Sequence, residues 1–311
     1  MAMIDELNTA TRKYIMPALV NQVWKETVLL DRLTRKERTV DGGTKLRVNL
    51  EYGTGASGGS YSKTDVLNIT PTKIMGAAEF DWAHYWAGNA IYKLDDLENK
   101  GKSQIVNLLV AKMKNIQHQI REDVETDLFA AQTGTKVLSL VDAIKYATTP
   151  TYGGIDRSVA GYEWFRGNVT AVGGILTYSV MESMYNTCKE IPHKPPDLIV
   201  TTKALFEYYW KLKLDKVGWL NQDANVVSDV VPFGTAELTY SPHCAAGDMW
   251  FLNTDHIFLA PNPDDNFEFS GWESVLAATG QRRLDGRVFW TGNLASDMPI
   301  ANGVLTGLTT S

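Results

Sequence analysis

Lys45-Leu46-Arg47-Val48-Asn49-Leu50-Glu51-Tyr52 alternates polar and apolar residues without a break, and Gly53-Thr54-Gly55-Ala56-Ser57-Gly58-Gly59-Ser60 follows directly. Strict period two over such a run predicts a β-strand with two unlike faces. Asp41-Gly42-Gly43 supplies a turn before it, and the glycine- and serine-rich run after it is a flexible tip. An extended return is predicted through Val66-Leu67-Asn68-Ile69-Thr70 and then from about Lys73 to Tyr92. Pro71 and scattered small residues place that return at an edge, not a sheet centre. Taken as a straight arm of about 18 residues at ~3.3 Å each, the hairpin reaches roughly 60 Å. A compact chain of 311 residues is only about 50 Å across. An isolated two-stranded hairpin is marginal in water. Such an arm needs cover from elsewhere, and a neighbouring copy is the simplest source.

On the N-terminal side, Leu7, Tyr14, Ile15, Leu19, Val23, Val28 and Leu29 recur at roughly helical spacing, with Pro17 interrupting. Two short helices or one kinked helix are expected. The charged string Asp31-Arg32-Leu33-Thr34-Arg35-Lys36-Glu37-Arg38 comes next. A solvated face is its ordinary reading, and a contact between subunits is the sharper one.

On the C-terminal side, Lys102 to Ala131 contains no Gly or Pro and carries Ile105, Leu108, Leu109, Met113, Ile116, Ile120, Val124 and Leu128 at helical steps. Lys112, Lys114, Gln117, Arg121, Glu122 and Glu125 are assigned to its polar face. At ~1.5 Å per residue this helix spans about 45 Å, long for a globular domain, and Gly134 is expected to close it. From about 135 to 260 the pattern is mixed. Thr177 to Glu190 is a helix with Met181, Met184, Tyr185 and Cys188 as a buried stripe. Asp197-Leu198-Ile199-Val200 is a short buried strand, and Lys203 to Leu214 is a helix bearing Phe206, Tyr208, Tyr209 and Trp210. Asp248 to Leu252 and Ile257-Phe258-Leu259 are further strands. Residues 262–311 return to strands around Arg287-Val288-Phe289-Trp290 and Val304-Leu305.

Composition narrows the function. Hydrophobic residues make up 44% of the chain, enough for a sizeable core. A net charge of -6 argues against a protein whose main task is gripping phosphate backbones. Cys188 and Cys244 lack any paired spacing, and histidines 84, 118, 193, 243 and 256 are scattered, so no metal set or disulfide framework is expected. Two cysteines without paired spacing suit a reducing cytoplasm, and no signal peptide or membrane-spanning run is visible. Gly53 to Gly58 fits G-x-G-x-x-G literally, but no helix can open after it, so no dinucleotide site is expected. The adjacent carboxylates Asp95-Asp96, Glu122-Asp123 and Asp264-Asp265 diverge on any regular backbone. No catalytic constellation and no cofactor are predicted.

The order of parts resembles the tailed-bacteriophage major capsid proteins of the Hong Kong 97 type. The local residues that carry the likeness are Arg38-Thr39-Val40-Asp41-Gly42-Gly43, Leu67-Asn68-Ile69-Thr70-Pro71 and Ala77-Ala78-Glu79-Phe80-Asp81-Trp82 at the hairpin. Farther on they are Pro196-Asp197-Leu198-Ile199-Val200-Thr201-Thr202, Phe251-Leu252-Asn253-Thr254-Asp255 and Trp290-Thr291-Gly292-Asn293-Leu294. The resemblance implies an α+β fold with an N-terminal arm over 1–38 and an extended hairpin loop within 39–90. It implies a peripheral domain from 91–134 with 262–311 and an inserted axial domain over 135–261. It implies a non-enzymatic subunit that self-assembles into hexamers and pentamers of an icosahedral shell, in the virion, after assembly in the host bacterial cytoplasm. A separate scaffolding protein, a portal, decoration proteins and weak non-specific contact with packaged double-stranded DNA are the partners implied, with no membrane. Arg35, Arg38, Gly58, Gly59, Tyr61 and Lys63 are the expected subunit contacts, and Lys63 is the residue to try for a cross-link to a neighbour. An encapsulin-type compartment shell is the alternative, and an enzyme built on the α/β segment is the rival from another class.

Overall fold

A computed structural model of the chain describes residues 27–53, 59–63, 66, 71, 73–98, 108–190, 194–217, 231–276 and 280–310. The predicted N-terminal helices before residue 27, Thr54 to Gly58 and Leu67 to Thr70 lie outside the described residues. In chain order the elements are α1 (Val28–Thr34), β1 (Leu46–Glu51), β2 (Met75–Phe80), β3 (Ala83–Tyr92), α2 (Lys93–Glu98), α3 (Leu108–Phe129) and α4 (Leu140–Ile144). Then come β4 (Thr151–Tyr152), β5 (Ile155–Asp156), β6 (Asn168–Ile175), α5 (Tyr178–Lys189), β7 (Leu198–Thr201) and α6 (Lys203–Val217). The chain continues with β8 (Val231–Phe233), β9 (Ala236–Tyr240), β10 (Met249–Leu252), β11 (Ile257–Ser274), β12 (Arg283–Ser296) and β13 (Gly303–Thr309).

These strands form a six-stranded sheet in the order β6-β13-β10-β7-β9-β8, a three-stranded sheet β11-β12-β3, and the pairs β1-β2 and β4-β5. The continuous apolar runs of β7 and β10 have a direct cause. Leu198, Val200, Trp250 and Leu252 enter the main core, while Ile199, Met249 and Phe251 enter a second core on the opposite face. A strand covered on both sides has no polar face to alternate with. Helix α5 covers the second core through Met181, Met184 and Cys188, and α6 through Leu205, Phe206 and Tyr209.

The spine helix α3 buries Ile116, Ile120, Val124 and Leu128 at steps of four in the main core. It ends at Phe129, not at Gly134, which lies five residues beyond in a turn at φ +62. Lys102 to Asn107, the predicted start, lies outside the described residues.

Two expectations change at the sheets and one is only partly covered. The β1-β2 ladder runs from Leu46↔Phe80 to Glu51↔Met75, and Thr54 to Gly58 and Leu67 to Thr70 of the expected arm lie outside the described residues. The return stretch also splits at Asp81-Trp82, where Asn293 Nδ2 donates to the Asp81 carbonyl (2.7 Å) and Trp82 Nε1 to the Gly43 carbonyl (2.9 Å). Past that break β3 joins β12 instead of continuing the hairpin. Third, β13 does not stay with β11 and β12: it runs parallel to β6 and antiparallel to β10. Val304 and Leu305 are buried on opposite faces of that sheet, which a two-residue apolar core could not reveal.

One close approach is testable. A Cβ on Gly167 would lie 2.7 Å from Ile144 Cα and 2.8 Å from its carbonyl oxygen, both backbone atoms. Gly167→Ala is expected to cost about 1–3 kcal/mol, because the backbone of α4 has to move. Gly59→Ala, with nothing within 4 Å, should leave the urea midpoint unchanged. Equal midpoints for both variants would show that the approach is not as close as drawn.

Candidate assembly surfaces

Helix α1 begins without a local cap, since Thr27 makes no side-chain capping bond. Its free N–H groups are met instead by Glu125 of α3. Leu29 N–H donates to Oε1 (3.1 Å), Leu30 N–H donates to Oε2 (2.7 Å), and Ser241 Oγ donates to Oε1 (3.2 Å). A carboxylate there satisfies orphan donors and faces the positive end of the helix. Glu125, assigned above to a polar face, is therefore fully buried. Leu29, Leu30 and Leu33 fix the other side of α1 in the main core.

The charged string 31–38, which begins inside α1, is spent largely within the chain. Arg32 pairs with Glu237 and Asp31 with Arg121. Lys36 reaches Asp197 (3.2 Å) and Asp255 (2.8 Å), and Lys194 also holds Asp255 (3.1 Å). Bonds from Lys36 and Lys194 hold the Asp255 carboxyl down at about 2. Arg38 bonds Asp297 (3.1 Å) and the Asp255 carbonyl (2.6 Å), and its guanidinium lies 3.9 Å from the Phe258 ring. Of the expected subunit contacts, Arg38 is thus engaged inside its own chain. Arg35 is exposed beside Arg32, Lys36 and Asp197. These pairs are wet, so Lys36→Met is expected to lower stability by at most about 1 kcal/mol, and the loss should fade in concentrated salt. Thermal melts at two ionic strengths check this. A larger, salt-independent loss would mean that Lys36 acts through packing instead.

Gly59, Tyr61 and Lys63 are exposed on the loop between β1 and β2, and Gly58 lies outside the described residues. The structure does not bring these residues together with Arg35 or Arg38 in any described contact. It adds a surface that was not anticipated. Trp86 on β3 and Phe289 on β12 are register partners, and both face solvent. The signal was present in the sequence, since an aromatic at an outward position of an alternating strand is out of place.

The chemistry of the interior is unreactive. Cys188 and Cys244 are buried and free, and burial pushes both thiols up to about 12, away from the thiolate a nucleophile needs. His256 Nδ1 lies 2.9 Å from Asp297, but Ser296 Oγ donates to the His256 carbonyl and not to its ring. Among the described residues there is no group of three or more His, Cys, Asp or Glu that could hold a metal, and no helix long and apolar enough to cross a membrane.

No family model and no curated protein matches the sequence. Solved structures do match along nearly the whole chain. It is similar to a chain of the Cyanophage A-1(L) capsid asymmetric unit, at 14% identity over 95% of this chain and 96% of that one, with a TM-score of 0.73. It is similar to the capsid of the native GTA particle computed with C5 symmetry, at 10% identity over 95% and 96%, with a TM-score of 0.65. It is also similar to the SrpI encapsulin complex from Synechococcus elongatus PCC 7942, at 11% identity over 100% and 97%, with a TM-score of 0.63. The fold is therefore the one shared by these capsid and encapsulin chains. More narrowly, the cyanophage neighbour carries it in a phage capsid.

Proposed function

We propose that this chain is the major capsid protein of a tailed bacteriophage, a non-enzymatic subunit that closes an icosahedral head around double-stranded DNA. The observation that carries the reading is the likeness to capsid chains over 95% of this chain and 96% of theirs. The fold supplies what such a subunit needs. The spine α3 and the sheet β11-β12-β3 make a stiff body, and the charged string 31–38 ties α1 and the residues after it to Glu237 of β9 and to Asp297 just past β12. In this reading 1–38 is the arm, 39–90 contains the hairpin loop, 91–134 with 262–311 is peripheral apart from β13, and 135–261 together with β13 is axial. Hexamers and pentamers form through heterologous contacts, the kind that close into rings. Arg35 and the loop residues Gly58, Gly59, Tyr61 and Lys63 are the contacts offered. A scaffolding protein, a portal and decoration proteins are its partners, and an acidic subunit holds its DNA only loosely. Assembly takes place in the host cytoplasm.

Likeness to an encapsulin favours a second reading, a compartment shell that encloses enzymes. Electron microscopy of the protein expressed with its neighbouring genes tests both. Uniform closed shells holding nuclease-resistant DNA are expected. Shells filled with an enzyme would select the second reading, and a monodisperse monomer under every condition would reject both.

A further inference from the structure

Sheet edges are hazards that proteins guard with charges, prolines, bulges or short length. The six-stranded sheet ends on β8 at one side and on β6 at the other. Strand β8 is guarded, having three residues with Pro232 among them. The start of β6 is not. Asn168-Val169-Thr170-Ala171-Val172 contains no charge and no proline, and Val169, Thr170 and Val172 are β-branched. Asn168 N–H donates to the Asn302 carbonyl (3.1 Å), and the parallel ladder with β13 is regular up to Thr306↔Ala171. Alternate residues of such a ladder face the partner, so Asn168 and Thr170 turn their backbone groups to β13, and Val169 and Ala171 turn theirs outward. Among the described residues nothing pairs with those outward groups. Gly173, at φ +58, ends the regular run.

A cleft lies beside this open edge. On α5, Val180, Ser183, Met184 and Thr187 fall at steps of three and four, so they share one face of the helix. With Thr170 and Val172 of β6 they line a cleft of about 180 Å³, and no charged residue borders it. Ser183 and Thr187 stand at its exposed rim, where the Thr187 hydroxyl is already spent on the Ser183 carbonyl (2.9 Å). An apolar cavity of about 150 Å³ accepts a benzene-sized group, so this cleft has room for one large apolar side chain.

We propose that β6 and α5 form a docking groove for an extended, uncharged segment of a different polypeptide, added along β6 with one large apolar side chain in the cleft. The inference goes beyond the shell reading and does not depend on it. A strand added here would meet the open N–H and C=O groups of Val169 and Ala171. Its residues opposite Thr170 and Val172 would point to the same sheet face as those two, and so into the cleft. In such additions the backbone bonds give affinity and the side-chain pocket gives selection. The lack of charge along both walls sets the chemistry of the occupant, because a charged side chain entering the cleft would lose water and gain no partner. A second copy fits less well. Paired through its own β6 it brings Thr170 and Val172, which already line their own cleft, and both clefts stay empty. Of its exposed aliphatic side chains, Leu94 and Leu97 sit on helix α2, and Met75 stands two residues from Lys73.

The probes are acetylated, amidated peptides Ser-Val-Thr-X-Ser with Val, Leu, Met or Phe at X, added to the full wild-type chain. At saturating peptide the Val169 and Ala171 amides are expected to exchange about tenfold more slowly, or slower still. A peptide with Asp at X should give no protection, and neither should one N-methylated at every backbone amide. Ser183→Glu, at the exposed rim, should keep the melting curve of the subunit and weaken the best peptide by about tenfold. If that variant does not fold, the N-methylated peptide still decides. No protection by any of the four peptides up to millimolar concentration overturns the groove. Equal protection by the N-methylated peptide overturns strand addition. Protection that grows with subunit concentration in the absence of peptide makes the occupant a second copy and overturns the proposal as well. Each of these results leaves the shell reading to its own test by electron microscopy.

Discussion

Replacing Arg157 by leucine should lower the stability of the subunit by about 3–5 kcal/mol, among the largest effects of any single side chain in this structure. Arg157 is fully buried. Its Nη1 donates to the Ala143 carbonyl (2.6 Å), and its Nη2 donates to the carbonyls of Asp142 (2.6 Å) and Thr149 (2.5 Å). Asp142 and Ala143 belong to the short helix α4, whose last carbonyls have no partner within the helix. Thr149 belongs to the loop that follows, so one guanidinium closes the helix and pins the next segment. Removing it strips the donor from the buried Ala143 carbonyl and the part-buried Thr149 carbonyl and leaves the Asp142 carbonyl only the Thr149 hydroxyl (3.3 Å), at about 1–3 kcal/mol for each acceptor left unmet, of which water can recover part. The damage should travel. The β4-β5 hairpin beside Arg157 packs against β2, where Gly153 lies close to Ala78 and Phe80. Arg157→Lys keeps the charge but cannot span three carbonyls with one flat fork, so an intermediate loss is expected. Urea unfolding followed by fluorescence measures all three proteins. A leucine variant within about 1 kcal/mol of wild type would mean that the carbonyls find other donors, and the cap reading would be wrong.

Arg157 also marks where the sequence stops being legible. Elements whose cause is local could be read from their own residues. The runs at β7 and β10, the stripe of Met181, Met184 and Cys188, and the spine all announce themselves by period and composition. What could not be read depends on partners far along the chain. Lys36 meets Asp255 across 219 positions, and Glu125 meets Leu29 across 96. A charged string looks the same whether it faces water or its own distant carboxylates. The solvated and inter-subunit readings of 31–38 therefore both missed its internal use. The hairpin was seen at its root, where alternation is strict, but its return was carried on past Asp81, because alternation does not say with which strand a segment pairs. Trp86 was legible as a strand residue. That its edge is unpaired among the described strands follows only from the sheet order.

The stability of the subunit should fall as pH is raised from about 4.5 to about 7, and Glu125→Gln should remove much of that slope. Burial pushes the Glu125 carboxyl up to about 7, and the nearby Asp31 adds to the push, while the N–H groups of Leu30 and Leu29 and the Ser241 hydroxyl pull the other way. Burial wins because the side chain has no exposed surface. The folded state therefore holds this proton more tightly than the unfolded chain does. Stability is greatest below the unfolded value and declines until the folded value is passed. Burial raises Glu37 and Asp123 as well, so the whole slope is shared, and only the difference between wild type and variant belongs to Glu125. Asp255, held down at about 2, acts below this window and does not confuse it. Glu125→Ala separates charge from capping. It strips the acceptor from both N–H groups of α1 and should cost about 2–3 kcal/mol at either end of the range. Identical slopes for wild type and Glu125→Gln would show that the carboxylate stays charged throughout, held by its donors against burial. If the slopes differ as expected, protonation of Glu125 relieves the cost of a buried charge by more than it weakens the two bonds to α1.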